Sequence, residues 1–454
     1  MGLTLIRKTQ SARPKRNPRI ALVLAGGAVS GGAFKVGGLK ALDDFLVGRR
    51  MTDLDLYVGL SAGALLAVPL AYGFGPDEMV KVLEGNSSYF AQIRPVDFYR
   101  PNWSEFARRP AQFLYQLYTY LPRVGLDLVR ALPTLPDSVG SSFRAFARER
   151  SYARFEKLAL ELLAHVSPKR EIPSFSNHIP SGFFDNSSLE RWMRGNLERI
   201  GLPNDFQEHE RRSGRKLYIS ACNLDTAQRV IFGPDEHYNA TISQAVQASS
   251  ALPVFYKPAR INGTDYVDGG VRNTANIDIA IEKGADLVIC YNPFAPFVNR
   301  RDVPGAEEFF PERHLADRGL KFVANQSFRT LLHSRLRIAL KQYLEDDRFQ
   351  GDIVLLEPRE MDSRFFAMNP LAFWKRSEAL EHGFESVRRT IEQNFEPLSM
   401  VLGRYGLQMN RRDASRRAAA ARRDLGWTHH RNAGVKKRPT QLRLLGSQRG
   451  SQRR

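Results

Sequence analysis

Residues 54–68 restrict the fold of this chain more than any other stretch. Leu54-Asp55-Leu56-Tyr57-Val58 reads as a short strand, Gly59-Leu60-Ser61-Ala62-Gly63 follows, and Ala64-Leu65-Leu66-Ala67-Val68 reads as the start of a helix. A strand that turns into a helix within one G-x-S-x-G pentapeptide needs a tight corner. The flanking glycines make room there for backbone passing at contact distance, and the serine hydroxyl is lifted clear of the sheet. Ser61 is therefore the candidate nucleophile, and a plain glycine-rich turn is the competing reading.

A second strand-to-helix junction precedes it. Ile20-Ala21-Leu22-Val23-Leu24-Ala25 opens into Gly26-Gly27-Ala28-Val29-Ser30-Gly31-Gly32, and Phe34, Val36, Leu39, Leu42 and Phe45 supply the apolar face of the helix that follows. Unpaired N–H groups at such a junction suit an anion. A dinucleotide fingerprint is broken at Ala28, and the Gly-Lys-Ser/Thr ending of a phosphate loop is missing. An oxyanion hole formed by Gly26, Gly27 and Ala28 is the third reading, and a nucleophile candidate at the end of the next strand favours it.

Further along, Thr264-Asp265-Tyr266-Val267 leads into Asp268-Gly269-Gly270. An aspartate closing a strand is placed at the carboxyl edge of the sheet, where α/β enzymes gather their sites, although D-G-G alone is often a simple turn. Strands alternating with helices predict a largely parallel, doubly wound sheet. Between them, residues 77–185 read as an inserted helical cap with a loop at its end. Leu114, Leu117, Tyr118 and Leu121 form one apolar face of the cap, and Phe155, Leu158, Leu162 and Val166 form another. Such faces suit either burial on the core or a lid turned toward a bilayer.

The net charge of +19 is concentrated at the two ends. Residues 1–19 hold six Lys/Arg and no acid, residues 411–454 hold fourteen against Asp413 and Asp424, and residues 20–410 are close to neutral. The reading is a basic arm over 1–18, a globular domain over 19–400 and a basic, disordered tail over 401–454. The tails suit anionic lipid head groups; nucleic acid is disfavoured, because no recognition module and few interleaved aromatics accompany them. Only Cys222 and Cys290 are present, which excludes a disulfide scaffold and favours a cytoplasmic setting. No signal peptide, membrane span, metal constellation or cofactor motif is read, so any membrane contact is expected to be peripheral, at the inner face.

Taken together, several segments resemble the patatin-like phospholipases. They are Leu22-Val23-Leu24-Ala25-Gly26-Gly27, the helix from Ala33 to Leu42, Gly59-Leu60-Ser61-Ala62-Gly63, Ala248-Ser249-Ser250-Ala251-Leu252-Pro253, Asp268-Gly269-Gly270 and Gly284-Ala285-Asp286. The resemblance covers about 19–295 and implies a doubly wound α/β fold. It also implies hydrolysis of lipid acyl esters through an acyl-serine intermediate, with Ser61 as nucleophile, Asp268 as base and Gly26, Gly27 and Ala28 as the oxyanion loop. One departure stands out: Ala28, Val29 and Ser30 replace the family's third glycine and the basic residue after it. Two alternatives remain, a catalytically impaired lipid-binding relative and a Ser-Asp-His esterase that uses His314, His333 or His382.

Overall fold

The computed structural model describes residues 2–9, 13–131, 137–166, 178–237, 239–299, 314–425, 427 and 443–446. Ten strands form one sheet: β1 Leu3–Arg7, β2 Ile20–Leu24, β3 Leu56–Gly59, β4 Lys216–Asn223, β5 Arg229–Phe232, β6 Ala259–Ile261, β7 Thr264–Asp268, β8 Leu287–Tyr291, β9 Asp352–Leu356 and β10 Arg443–Gly446. Their order is β10-β1-β9-β8-β2-β3-β4-β7-β6, with β5 also paired to β4. The inner strands β9, β8, β2, β3 and β4 run parallel. Antiparallel pairs lie outside them, β1 on β9 at one side and β7 on β4 at the other.

Inner parallel strands are covered on both faces and so read as continuous apolar runs. In β2, Ile20, Leu22 and Leu24 enter one core, and Ala21 and Val23 enter the other. In β8 the same division separates Leu287, Ile289 and Tyr291 from Val288 and Cys290. Six helices matter below: α1 Ala28–Phe45, α2 Ala62–Ala71, α3 Ile242–Ser249, α4 Leu320–Glu345, α5 Arg376–Gln393 and α6 Arg411–Asp424. Residues of α1, α2, α3 and α5 enter the first core, while Leu336 and Leu340 of α4 enter the second. From β2 the chain steps one way to β3 and β4, and later continues on the other side through β8 and β9. The switch point lies between β2 and β8, and there the loops after these strands pack on each other, Pro293 and Phe294 against Gly26 and Gly27.

Two expectations drawn from charge are corrected. Residues 3–7 of the basic arm form β1, because Leu3, Leu5 and Ile6 are buried against the sheet. Residues 401–424, assigned to a disordered tail, are folded. In α6 the arginines occupy one side, and Ala414, Ala418 and Ala421 form a buried small-residue face on the other. Arg417 Nη1 also donates to the carbonyls of Asp43, Asp44 and Leu46, whose oxygens end α1. The rest of the tail lies outside the described residues, apart from Leu425, Trp427 and β10.

A second compact unit comprises Pro101–Phe183, with helices Trp103–Ala131, Asp137–Arg148 and Tyr152–Val166. Residues 77–100, grouped with the cap in the sequence reading, lie in the first unit instead. Of the expected cap faces, Leu114, Tyr118 and Phe155 are exposed and Leu158 is buried. The side chains of Leu117, Leu121, Leu162 and Val166 lie outside the described set.

Helices α1 and α5 cross at glycines. A Cβ on Gly37 would sit 1.9 Å from the Leu380 carbonyl oxygen, and one on Gly383 would sit 2.0 Å from that of Phe34. Backbone cannot yield there as a flexible side chain could. Gly383→Val is therefore expected to cost about 3 kcal/mol or more in chemical denaturation. Gly403→Ala, in a helix with no atom within 4 Å of the added carbon, should gain about 0.5–1 kcal/mol.

Candidate functional site

β3 ends at Gly59 and α2 begins at Ala62, so Ser61 occupies the corner between them. The corner has no spare volume. A Cβ on Gly63 would lie 2.0 Å from the Leu24 carbonyl oxygen, and one on Gly59 would lie 2.5 Å from Ala64 Cα. Leu60 N–H donates to the Leu24 carbonyl (3.0 Å) and Ser61 N–H to Ser249 Oγ (2.8 Å). These bonds hold Ser61 at φ 54°, ψ −127°, a conformation that side chains rarely adopt. Its side chain is 9% exposed, at the margin of solvent.

Asp268 closes β7 on the far side of β4. Because β4 pairs Ile219 with Gly59 and Ala221 with Asp268, the two distant chain segments finish side by side at one sheet edge. The Asp268 carboxyl is buried, accepts the Gly270 N–H at 2.8 Å, and lies near enough to the Ser61 hydroxyl for that group to lower its pKa. Gly269 is constrained by space: a Cβ there would be 2.7 Å from the Ser220 carbonyl oxygen and 2.8 Å from Leu60 Cδ1. Burial raises the Asp268 pKa to about 6. The hydrogen bonds from Ser61 and Gly270 and the charge of Lys35 pull in the opposite direction.

The glycine-rich loop lies beside this pair. A Cβ on Gly26 would be 3.1 Å from the Phe294 ring and 3.4 Å from Ser61 Cβ, and one on Gly27 would be 2.8 Å from Pro293 Cγ. Ala28 starts α1 at φ 51°. Ser30 N–H donates to the Pro370 carbonyl and Gly31 N–H to that of Gly27, both at 3.0 Å. The N–H groups of Gly26, Gly27 and Ala28 have no hydrogen-bond partner among the described residues. The structure thus brings Ser61, Asp268 and the 26–28 loop together, with Leu60, Ala62, Gly59, Gly63, Gly269 and Gly270 shaping the backbone around them.

Two residues at this edge were not singled out in the sequence. Lys35, on α1, is fully buried, and its Nζ donates to the carbonyls of Ala25 and of Gly26 (3.1 Å). Desolvation lowers its pKa to about 7, against the raising influence of Cys290 and Asp268. A lysine amid the apolar residues Phe34, Val36 and Leu39 was the available signal. Arg329 of α4 is the other: its Nη1 donates to the carbonyls of Pro293 (2.9 Å) and Ala295 (3.1 Å), on the loop that packs against Gly26 and Gly27.

From Ser61 a largely apolar cleft of about 800 Å³, open mouth included, extends between Val36, Leu65, Leu189, Leu252 and Phe373. Arg376 is the charged residue on its wall. No histidine is among the described residues that line it. His382 instead pairs with Asp362 at 2.7 Å, and His333 lies beside Arg337 and Glu357.

The family model for patatin-like phospholipase matches residues 22–281. A probable lipid hydrolase, 463L of Invertebrate iridescent virus 6, is 33% identical over 94 residues, which are 21% of this chain and 32% of the viral protein. The match thus spans about a third of that relative's length. Solved structures with similarity include VipD from Legionella pneumophila, with 17% identity and a TM-score of 0.35 over 86% of this chain and 70% of that one. The type III effector ExoU of Pseudomonas aeruginosa has 14% identity and a TM-score of 0.34, over 91% of this chain and 61% of its own. Human GIVD cytosolic phospholipase A2 has 10% identity and a TM-score of 0.28, over 86% and 59%.

The raised pKa of Asp268 makes a stability prediction independent of any reaction. At pH 8 the carboxylate is ionised where the fold disfavours charge, and Asp268→Asn removes that cost. The variant should be more stable than the wild type at pH 8, by on the order of 2 kcal/mol. This gain should shrink as pH falls through about 6 and vanish below the ordinary aspartate range, near pH 4. Thermal denaturation across that interval measures it, and a gain that grew toward acid would contradict the assigned burial.

Proposed function

The chain belongs to the patatin-like phospholipase family, and from that premise we propose that it is a lipid acyl hydrolase working through a Ser61–Asp268 dyad. The observation that carries this reading is the Ser61 hydroxyl beside a buried carboxylate at the head of an apolar cleft. A serine hydroxyl is a poor nucleophile until a base accepts its proton. With its pKa raised to about 6, Asp268 is ionised at neutral pH and is a stronger base than an exposed aspartate.

Ser61 Oγ attacks the ester carbonyl carbon while its proton passes to Asp268. The carbonyl oxygen becomes an oxyanion facing the N–H groups of Gly26, Gly27 and Ala28. Collapse breaks the ester C–O bond, and the leaving alcohol takes the proton from Asp268. Water then gives a proton to the same carboxylate as it attacks the acyl-Ser61 carbonyl; the acyl C–Oγ bond breaks, Ser61 Oγ takes the proton back from Asp268, and the fatty acid leaves. Ala28 retains a backbone N–H, so the loop can act without the family's third glycine. The apolar cleft accommodates the acyl chain.

Lys35 is the positioning residue in this scheme. Its ammonium binds the carbonyls of Ala25 and Gly26 from beneath, which turns the opposite faces of those peptide units, and the amides after them, toward the cleft. We infer that substrate is reached from the membrane surface; separately, among the described residues no helix is long and apolar enough to cross a bilayer. The basic ends and the exposed Leu114 and Tyr118 of the helical unit supply peripheral contact. We place this contact at the cytoplasmic face.

Turnover of a p-nitrophenyl acyl ester and of a lysophospholipid tests the scheme. Ser61→Ala should lower kcat at least about 1,000-fold, and intact turnover would overturn it. The wild-type rate should rise with pH through an apparent pKa of about 6, as Asp268 ionises. In Lys35→Met the same limb should move to higher pH, because removing a neighbouring positive charge raises a carboxyl pKa. A slower variant with an unmoved limb would assign Lys35 a purely structural role.

A further inference from the structure

Helix α4 is apolar on opposite sides. Leu332, Leu336 and Leu340 are buried toward the sheet. On the other side Leu320, Phe328, Leu331 and Ile338 stand in solvent, Phe328 60% and Leu331 65% exposed. A row of exposed apolar side chains of this kind marks an interaction surface. The exposed positions of α4 also include Lys321, Arg335 and Lys341, with Glu345 at the C-terminal end the one acid among them.

The location of this face matters as much as its composition. Arg335 Nη1 donates to the Val271 carbonyl (2.9 Å), and Thr274 Oγ1 donates to the Leu332 carbonyl (2.8 Å), so α4 braces the turn that follows Asp268. Arg329 holds the Pro293–Ala295 loop, which packs on Gly26 and Gly27. One helix therefore supports both flanks of the site. The segments it supports carry exposed apolar side chains of their own, Val271 beyond the first and Val298 beyond the second.

We propose that the outer face of α4, with Val271 and Val298, is a docking surface for an anionic phospholipid bilayer. The occupant follows from the mixture of groups. Apolar side chains enter the acyl boundary, while lysine and arginine at the same level reach the head-group phosphates on long stems. Three basic side chains against the single acid Glu345 give the exposed positions a net positive charge, which complements the negative surface potential of such a leaflet. The surface lies on the main unit and shares no residue with the helical unit or the charged ends invoked above. The choice of lipid as substrate rests on the hydrolase reading, whereas the binding does not.

Full-length protein sedimented with vesicles of phosphatidylcholine plus phosphatidylglycerol, and with vesicles of phosphatidylcholine alone, tests this surface. Wild type should bind the mixed vesicles more tightly than the neutral ones. Phe328→Ser with Leu331→Ser should raise the lipid concentration for half-binding at least about tenfold. The same variant should keep its melting temperature and its turnover of a soluble short-chain ester, since neither side chain touches the site. Lys321→Glu with Lys341→Glu should abolish the preference for phosphatidylglycerol.

Unchanged vesicle binding by the serine double variant would overturn the proposal. So would equal binding of wild type to both vesicle types, or a wild-type dimer that the double variant converts to monomer, which would make a second copy the occupant. If wild type hydrolyses no ester yet loses vesicle binding on substitution, the docking surface stands and the hydrolase reading falls.

Discussion

A carboxyl group held away from water at the end of β7 sets the terms for everything around it. Ionised and unpartnered, Asp268 would be costly to bury. The fold answers with three stabilising influences: the Gly270 N–H, the Ser61 hydroxyl and the positive charge of Lys35. Each requires an element brought to one place. Gly270 must follow Asp268 in a turn too tight for a side chain at Gly269, Ser61 must be lifted from its strand by the corner at Gly59 and Gly63, and Lys35 must lie inside α1, beneath the loop after β2. Their compensation is incomplete, so the pKa remains raised. That residual basicity is what the proposed chemistry uses.

The same logic explains why the sheet is built as it is. β4 separates the strands ending in Gly59 and Asp268 and aligns them within two residues of each other. β8 flanks β2 on the opposite side and delivers Pro293 and Phe294 against the glycine-rich loop. Close packing of α1 on α5 at Gly37 and Gly383 fixes the height of α1, and with it the depth at which Lys35 meets the Ala25 and Gly26 carbonyls. A change in the core far from Ser61 thus has a direct mechanical route to the loop.

What could be read in the sequence was whatever backbone geometry demands of individual residues. The glycines around Ser61 and after Asp268 stand where a Cβ would strike a carbonyl oxygen or a neighbouring side chain, and the apolar runs of β2 and β8 announce strands covered on both faces. Charge counted over long windows misled at both ends. Leu3, Leu5 and Ile6 were hidden within a basic arm, and the buried alanine face of α6 within a basic tail, because burial is decided residue by residue. Lys35 and Arg329 escaped for another reason. Their partners are backbone carbonyls, which leave no mark in the amino-acid sequence. The limits of the helical unit were equally hidden, since residues 77–100 and 101–183 share one helical, proline-interrupted pattern yet divide between two units.

The proposed chemistry depends on activation of Ser61 by Asp268. Peptide mass spectrometry of the protein after reaction with a fluorophosphonate, in the presence of phospholipid vesicles, addresses it most directly. The account predicts one adduct, on the peptide carrying Ser61, whose rate of formation falls by half as pH drops to about 6 and which Asp268→Asn nearly eliminates. An adduct on another residue, or a folded wild type left unmodified under the same conditions, would contradict it.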